Sequence, residues 1–188
     1  MQEIRWHGRG GQGTKTAVLL LAESVITEGG YAQGFPEYGP ERMGAPVAGF
    51  NRIDDKPIRR HCPIREPQVV VVLDESLLET VDVVAGLKAD GMLLVNTTQS
   101  PQETRTRLNL SHGQVYTVDA TGIAMETLGR PIPNTVMTGA LINLTRVMTC
   151  EAFERSFARK FAHVYARPIL DGNAKAVRRA FTEVKGEA

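Results

Sequence analysis

Residues 69–73 are the segment that most restricts what this 188-residue chain can fold into. They form an uninterrupted apolar run of four valines and a leucine. A strand with one face in water alternates apolar and polar residues, so an unbroken β-branched run is typical of a strand covered on both faces. Helices are then required on both sides of the sheet. The run therefore favours a layered α/β domain.

Strand and helix patterns alternate along the rest of the chain. Strands are predicted at residues 3–6, 31–35, 47–53, 92–96 and 115–118, and helices at residues 14–28 and 77–87. After Asn134 the pattern is helical, with apolar spacings that predict three further helices. We therefore expect an α/β fold, namely a three-layer Rossmann-like sheet with helices on both faces and a helical C-terminal third. A chain of this length fits a single domain over residues 1–188.

Composition argues against several classes of partner. The chain has 22 basic and 21 acidic residues, and this balance produces no long-range field that would attract nucleic acid or an anionic membrane. Its apolar runs fall short of the roughly 20 residues that cross a bilayer. The first residues lack the pattern of a signal peptide, so we expect the cytoplasm. Cys62 and Cys150 are too few for an iron–sulfur cluster, and we expect two separate reduced thiols, each partly or fully buried.

A glycine-rich loop separates the first predicted strand from the first predicted helix. It reads G-R-G-G-Q-G, and Gly8, Gly10 and Gly13 have the G-x-G-x-x-G spacing. This spacing permits a tight turn and directs free N–H groups and the positive end of the helix toward an anion, usually a phosphate. The loop therefore predicts contact with a phosphate or pyrophosphate, with a purely structural turn as the alternative.

Two common nucleotide-binding motifs fit this loop only in part. A dinucleotide site requires an acidic residue at the end of the second strand, but residues 31–35 contain none and Glu37 follows only after Pro36. A P-loop requires lysine directly after the last glycine, where Thr14 stands, and Lys15 comes one position later. One helical position is a rotation of about 100°, which turns Lys15 away from a β-phosphate. A free-standing NAD-binding Rossmann oxidoreductase is therefore the second interpretation.

Two sequence motifs together are more specific than the loop alone. The chain reads R-W-H-G-R-G-G-Q-G at residues 5–13 and E-Y-G-P-E-R-M-G-A-P at residues 37–46. In both segments it resembles the gamma subunit of the 2-oxoacid:acceptor oxidoreductases, of which the pyruvate:ferredoxin oxidoreductases are the best known. The resemblance continues through residues 69–74, 133–135 and 173–181, and it covers nearly the whole chain.

The resemblance implies a division of labour between subunits. Other subunits would carry thiamine diphosphate with magnesium, the 2-oxoacid pocket and 4Fe–4S clusters, and this chain would hold no catalytic or metal-binding residue and would be inactive alone. The assembled enzyme would oxidatively decarboxylate a 2-oxoacid, transfer the acyl group to coenzyme A, and pass electrons to ferredoxin or NAD. Pyruvate, a branched-chain 2-oxoacid, 2-oxoglutarate and an aryl substrate such as phenylglyoxylate all remain open.

Within that resemblance, the hypothesis is that the glycine loop receives the phosphates of coenzyme A. The residues assigned to this site are Gly8, Arg9, Gly10, Gly11, Gln12, Gly13, Thr14, Lys15 and Arg42. Arginine suits planar groups with several oxygens whereas lysine acts as a point charge, so Arg9 and Arg42 are preferred for specific contacts. The alternative is that both arginines pair with carboxylates at a subunit interface.

Overall fold

The computed structural model describes residues 1–37 and 43–187. Within these residues the strands are β1 (Gln2–Arg9), β2 (Tyr31–Pro36), β3 (Pro46–Asp54), β4 (Val69–Val72), β5 (Met92–Asn96), β6 (Gln114–Val118) and β7 (Lys185–Gly186). The α-helices are α1 (Thr14–Thr27), α2 (Pro101–Leu108), α3 (Ala120–Leu128), α4 (Asn134–Thr145), α5 (Cys150–Phe161) and α6 (Arg167–Glu183). A 3₁₀-helix covers Glu75–Glu79. The mixed α/β class and the helical C-terminal third are therefore confirmed.

The described strands form one sheet in the order β2-β3-β1-β4-β5-β6-β7. The four central strands β1, β4, β5 and β6 are parallel, whereas β3 is antiparallel to both β1 and β2. The strand that follows α1 therefore does not lie beside β1, because β3 occupies that position. In a dinucleotide-binding Rossmann unit the second strand is the neighbour of the first. The sheet is thus Rossmann-like only on its β1-β4-β5-β6 side.

Two apolar clusters cover the two faces of the sheet. The larger cluster contains Val69 and Val71 of β4 and packs the sheet against α1 and α3 to α6. The smaller cluster contains Val70 and Val72 and lies under the segment after β4 and the end of α2. All four valines of β4 are fully buried. The prediction that this strand is covered on both sides is confirmed.

The predicted helix over residues 77–87 is wrong. The chain forms the 3₁₀-helix Glu75–Glu79 and then a series of turns. Arg5, on β1, supplies the physical reason, because its guanidinium donates to the carbonyls of Val83 at 2.9 Å and Ala85 at 2.6 Å. These two hydrogen bonds tie the segment to β1 as a series of turns, so the local structure follows the tertiary contact.

Helices α2 and α3 are absent from the predictions, although their first residues carry recognisable signals. Ser100 and Glu103 form a reciprocal capping box at the start of α2. The Asp119 side chain accepts a hydrogen bond from the backbone N–H of Gly122 at the start of α3. Among the helices of the described residues, none is long and apolar enough to cross a membrane.

Candidate functional site

The glycine loop lies where the connections of the sheet diverge. The chain leaves β1 through α1 toward β2 on one side, whereas β4, β5 and β6 succeed one another on the other side. The carboxyl ends of β1 and β4 therefore flank the topological switch point, which is where open α/β sheets bind ligands. Because β1 continues to Arg9, both Gly8 and Arg9 belong to the strand, and only residues 10–13 form the loop.

Gln12 fastens the loop to the end of β4. Its side-chain Oε1 accepts a hydrogen bond from the backbone N–H of Arg9 at 2.8 Å, and its Nε2 donates to Asp74 Oδ2 at 2.6 Å. Burial raises the pKa of Asp74, but hydrogen bonds from Ser76 and Gln12 and the charge of Arg9 outweigh that effect and leave the pKa below its ordinary value. Asp74 is consequently an anionic anchor for the loop at neutral pH.

Arg9 also binds within the chain. Its Nε and Nη2 donate to Ser76 Oγ at 3.0 and 2.8 Å, and its Nη1 donates to the carbonyl of Gly44 at 3.0 Å. Its Nε is also 3.5 Å from Asp74 Oδ2. Three of the five N–H donors of a guanidinium are thereby used. Arg9 therefore links β1 to residues 74–76 and to residue 44.

Replacing Gln12 with Leu should lower the free energy of unfolding by about 1–3 kcal/mol, because two partly buried polar groups lose their partner. Urea unfolding of the purified chain measures this loss. Gln12→Glu keeps the acceptor but sets a second carboxylate against Asp74, and it should destabilise the chain at least as much. A Gln12→Leu chain as stable as the native one would contradict a structural role for this bridge.

The N-termini of α1 and α4 meet beside the loop. Gly13 is the N-cap residue of α1 in the left-handed conformation, with φ of 80°, and as a glycine it has no side chain to cap the helix. Asn134, the first residue of α4, donates from Nδ2 to the carbonyl of Gly13 at 3.4 Å. The α4 N-terminus likewise has no side-chain cap. Two sets of first-turn N–H groups and two positive helix ends therefore converge on one place.

Thr14 and Lys15 occupy opposite environments at the start of α1. Thr14 is buried, and its Oγ1 finds no hydrogen-bond partner among the described residues. Gly8 has no Cβ, and an added one would lie 2.2 Å from that oxygen. The side chain of Lys15, by contrast, is exposed. Arg42, the remaining residue assigned to the site, lies outside the described residues.

A cleft of about 570 Å³ opens next to the two helix ends. Its lining includes the polar groups of Gly11, Gly13, Asn134 and Arg130 and the rings of Phe157, Phe161 and Tyr165. The ring of Phe161 lies 4.8 Å from Phe157 and 5.1 Å from Tyr165, centre to centre. The lining thus combines groups that suit an anion with rings that suit a flat or apolar group. Sequence reasoning did not find Arg130, because nothing local brings it to a loop more than a hundred residues away.

The burial of the two cysteines and the grouping of the possible metal ligands also bear on the predictions from the sequence. Cys62 is exposed, so the expectation that it is at least partly buried is wrong, whereas Cys150 is buried as expected. Burial and then the charge of Glu154 raise the pKa of the Cys150 thiol to about 12. Within residues 1–37 and 43–187, no three His, Cys, Asp or Glu side chains are grouped so that they could hold a metal ion.

Comparison with known proteins gives full-length matches. The family model described as pyruvate ferredoxin/flavodoxin oxidoreductase matches residues 3–183. The pyruvate/ketoisovalerate oxidoreductases common subunit gamma of Pyrococcus abyssi is 50% identical over 185 residues, which are 98% of each chain. The crystal structure of pyruvate oxidoreductase subunit PORC from Thermotoga maritima has a TM-score of 0.89 at 43% identity, covering 100% of this chain and 98% of that one.

A more distant match is the 2-oxoglutarate:ferredoxin oxidoreductase from Magnetococcus marinus with 2-oxoglutarate, coenzyme A and succinyl-CoA bound. It has a TM-score of 0.76 at 18% identity and covers 95% of this chain but 30% of that one. At this identity the likeness concerns the fold alone.

Proposed function

Because the chain belongs to the pyruvate ferredoxin/flavodoxin oxidoreductase family, as the gamma subunit of a multi-subunit 2-oxoacid oxidoreductase, we propose that it holds coenzyme A at the glycine loop and the adjoining cleft. The alternative of a free-standing NAD-binding oxidoreductase is not supported. Its family is different, and the antiparallel β3 occupies the position beside β1 that a dinucleotide site needs for its second strand.

The observation that carries the proposal is the convergence of the α1 and α4 N-termini at the edge of the cleft. Coenzyme A has phosphate groups, which bind helix N–H groups and arginine, and a flat adenine ring, which stacks on aromatic side chains. A volume of about 570 Å³ falls within the range of about 300–1,000 Å³ typical of small-molecule sites. The cleft therefore offers both kinds of surface at a suitable size.

The residues assigned from the sequence take different parts in this proposal. Gly11 and Gly13 expose backbone at the edge of the cleft, and Gln12 and Arg9 hold the loop in position. Gly8 leaves room for Thr14, whose buried Oγ1 is directed toward the base of the loop. Gly10 fixes the entry to the loop by donating to the carbonyl of residue 45. Lys15 and Arg42 are proposed to add charge around the phosphates.

We propose further that thiamine diphosphate with magnesium, the 2-oxoacid pocket and iron–sulfur clusters belong to the other subunits. The Pyrococcus relative is named as a subunit common to the pyruvate and ketoisovalerate enzymes. A shared gamma subunit implies that substrate choice is made on other chains. We therefore propose pyruvate or a branched-chain 2-oxoacid as the substrate of the complex, ferredoxin or flavodoxin as the acceptor, and the cytoplasm as its location. Phenylglyoxylate stays a prediction from the sequence.

Arg130→Ala in the assembled enzyme should raise the KM for coenzyme A about tenfold and leave the KM for the 2-oxoacid unchanged. The reason is the loss of a charge-assisted contact to a phosphate. Steady-state rates with coenzyme A varied at saturating pyruvate measure the effect. Arg130→Lys, which keeps the charge but not the fork of donors, should give a smaller rise.

Arg155→Ala is the matched control, because this exposed arginine pairs with Glu28 away from the cleft. Its KM for coenzyme A should equal that of the native enzyme. An unchanged KM in Arg130→Ala, or an equal rise in Arg155→Ala, would show that the cleft is not part of the coenzyme A site.

Arg42→Ala should also raise the KM for coenzyme A in the assembled enzyme. An unchanged KM would show that Arg42 does not contribute to coenzyme A binding.

A further inference from the structure

The half of the sheet formed by β2, β3 and β1 has an unusual second face. On one face, Trp6 and Asn51 pack toward α1. The opposite face carries two cross-strand rows, one of Glu3, Arg52 and Gln33 and one of Arg5, Phe50 and Phe35. The smaller apolar cluster on that side is built on β4, β5 and β6. This half of the sheet therefore presents charged and aromatic residues where the other half presents valines and leucines.

Arg52 holds an irregular segment against this face. It is 1% exposed, and its Nε donates to Glu3 Oε1 at 2.8 Å. Its other nitrogens donate to the backbone carbonyls of Cys62 at 2.5 Å and Arg60 at 3.4 Å. Because the buried guanidinium of Arg52 bonds to their backbone, residues 58–62 are held against the sheet. Their side chains remain available for contact with another molecule.

Between Asp55 and Glu66 the chain has four exposed cationic side chains, against the two exposed carboxylates of these end residues. Lys56, Arg59, Arg60 and Arg65 are exposed, and in the part of the chain that the structure describes none of them has a carboxylate within 4.0 Å. We call these four residues the basic patch. By contrast, the exposed Arg155 of α5 and Arg178 of α6 are paired with glutamates. The segment therefore has a net positive charge that an acidic surface would complement.

An aromatic pair lies next to the basic patch. The rings of Phe35 and Phe50 stack at 5.3 Å, and the guanidinium carbon of Arg52 is 5.4 Å from the centre of the Phe35 ring. Both phenylalanines are half-buried, on a rigid strand pair. Aromatic residues and arginine are the residue types enriched in protein–protein interfaces.

We propose that the basic patch and the Phe35–Phe50 pair form the surface on which an acidic face of another subunit of the same complex docks. The inference rests on the chain being a gamma subunit. Charge complementarity selects an acidic partner, and the aromatic pair on a fixed scaffold selects a folded protein surface over a flexible polyanion. The segment follows β3 at the amino end of β1, opposite the glycine loop, so docking here leaves the coenzyme A cleft open.

The test compares two double charge reversals in the co-expressed complex. Arg59→Glu with Arg60→Glu should raise the concentration needed for half-assembly about tenfold at about 0.1 M salt, measured by mass photometry. Arg59→Lys with Arg60→Lys should assemble normally. The matched control, Lys175→Glu with Lys185→Glu, makes the same change in net charge on α6 and β7, away from the patch, and should leave assembly unchanged.

A second reversal pair, Lys56→Glu with Arg65→Glu, guards against a folding defect in the first, and thermal unfolding of each chain checks the fold. Assembly of the native complex should weaken as salt rises, and the reversed variants should lose much of that salt dependence. Normal assembly of both reversal pairs, or equal weakening by the Lys175 and Lys185 pair, would overturn the docking surface alone. A native chain that assembles with no other subunit would overturn the gamma-subunit assignment as well.

Discussion

A Gly13→Ala chain should lose about 2–4 kcal/mol of its free energy of unfolding, and the assembled enzyme should need at least about tenfold more coenzyme A for half its maximal rate. Gly13 has φ of 80°, a conformation that costs an alanine about 1–2 kcal/mol. An added Cβ would also lie 2.5 Å from Asn134 Nδ2 and 2.8 Å from its Cγ. The substitution therefore pushes α4 away from the loop and separates the two helix ends that we propose hold the phosphates.

Gly11→Ala separates the two causes of this loss. Gly11 also has a positive φ, of 98°, but an added Cβ there would meet nothing within 4 Å. It should therefore show only the backbone cost and a smaller loss of stability. Adding Asn134→Ala to Gly13→Ala removes the colliding amide and should restore part of the stability, measured by urea unfolding. A Gly13→Ala chain no less stable than Gly11→Ala would contradict the close approach of α4.

Lowering the pH should destabilise the chain through His7 by about 3 kcal/mol. His7 is 8% exposed, and its Nε2 has no hydrogen-bond partner among the described residues. Burial, followed by the charge of Arg5, lowers its pKa from 6.5 to about 4, against a smaller opposing effect of Asp82. Between these two values the unfolded chain binds a proton that the folded chain does not. Stability is therefore full above pH 6.5 and is lost as the pH falls toward 4.

His7→Gln, whose amide does not titrate, is the comparison that isolates this effect. Urea unfolding of both chains at pH about 7.5, about 5.5 and about 4 gives the difference in stability at each pH. Carboxylates such as Asp74 titrate in both chains and cancel in that difference. The native chain should lose more stability on acidification than the variant does. Parallel curves for the two chains would show that His7 has an ordinary pKa.

Local signals in the sequence account for much of the fold and part of the candidate site. The run at residues 69–73 and the glycines between strand and helix act over a few residues, so their consequences are visible without the rest of the molecule. The capping box of Ser100 and Glu103 is another local signal, and it marks the start of α2. The helix predicted at residues 77–87 is wrong, and the contacts of this segment are with Arg5, which is far away in sequence.

From the sequence alone came the α/β class, the strand–loop–helix opening, the helical C-terminal third and the relationship to gamma subunits, because each depends on periodicity or on a contiguous motif. Only the tertiary structure decided the position of β3 beside β1, the use of Arg9 as a brace to Asp74 and Ser76, and the meeting of Gly13 with Asn134. These contacts join residues that no local pattern connects. Their geometry exists only once the sheet has assembled and the helices have packed on it.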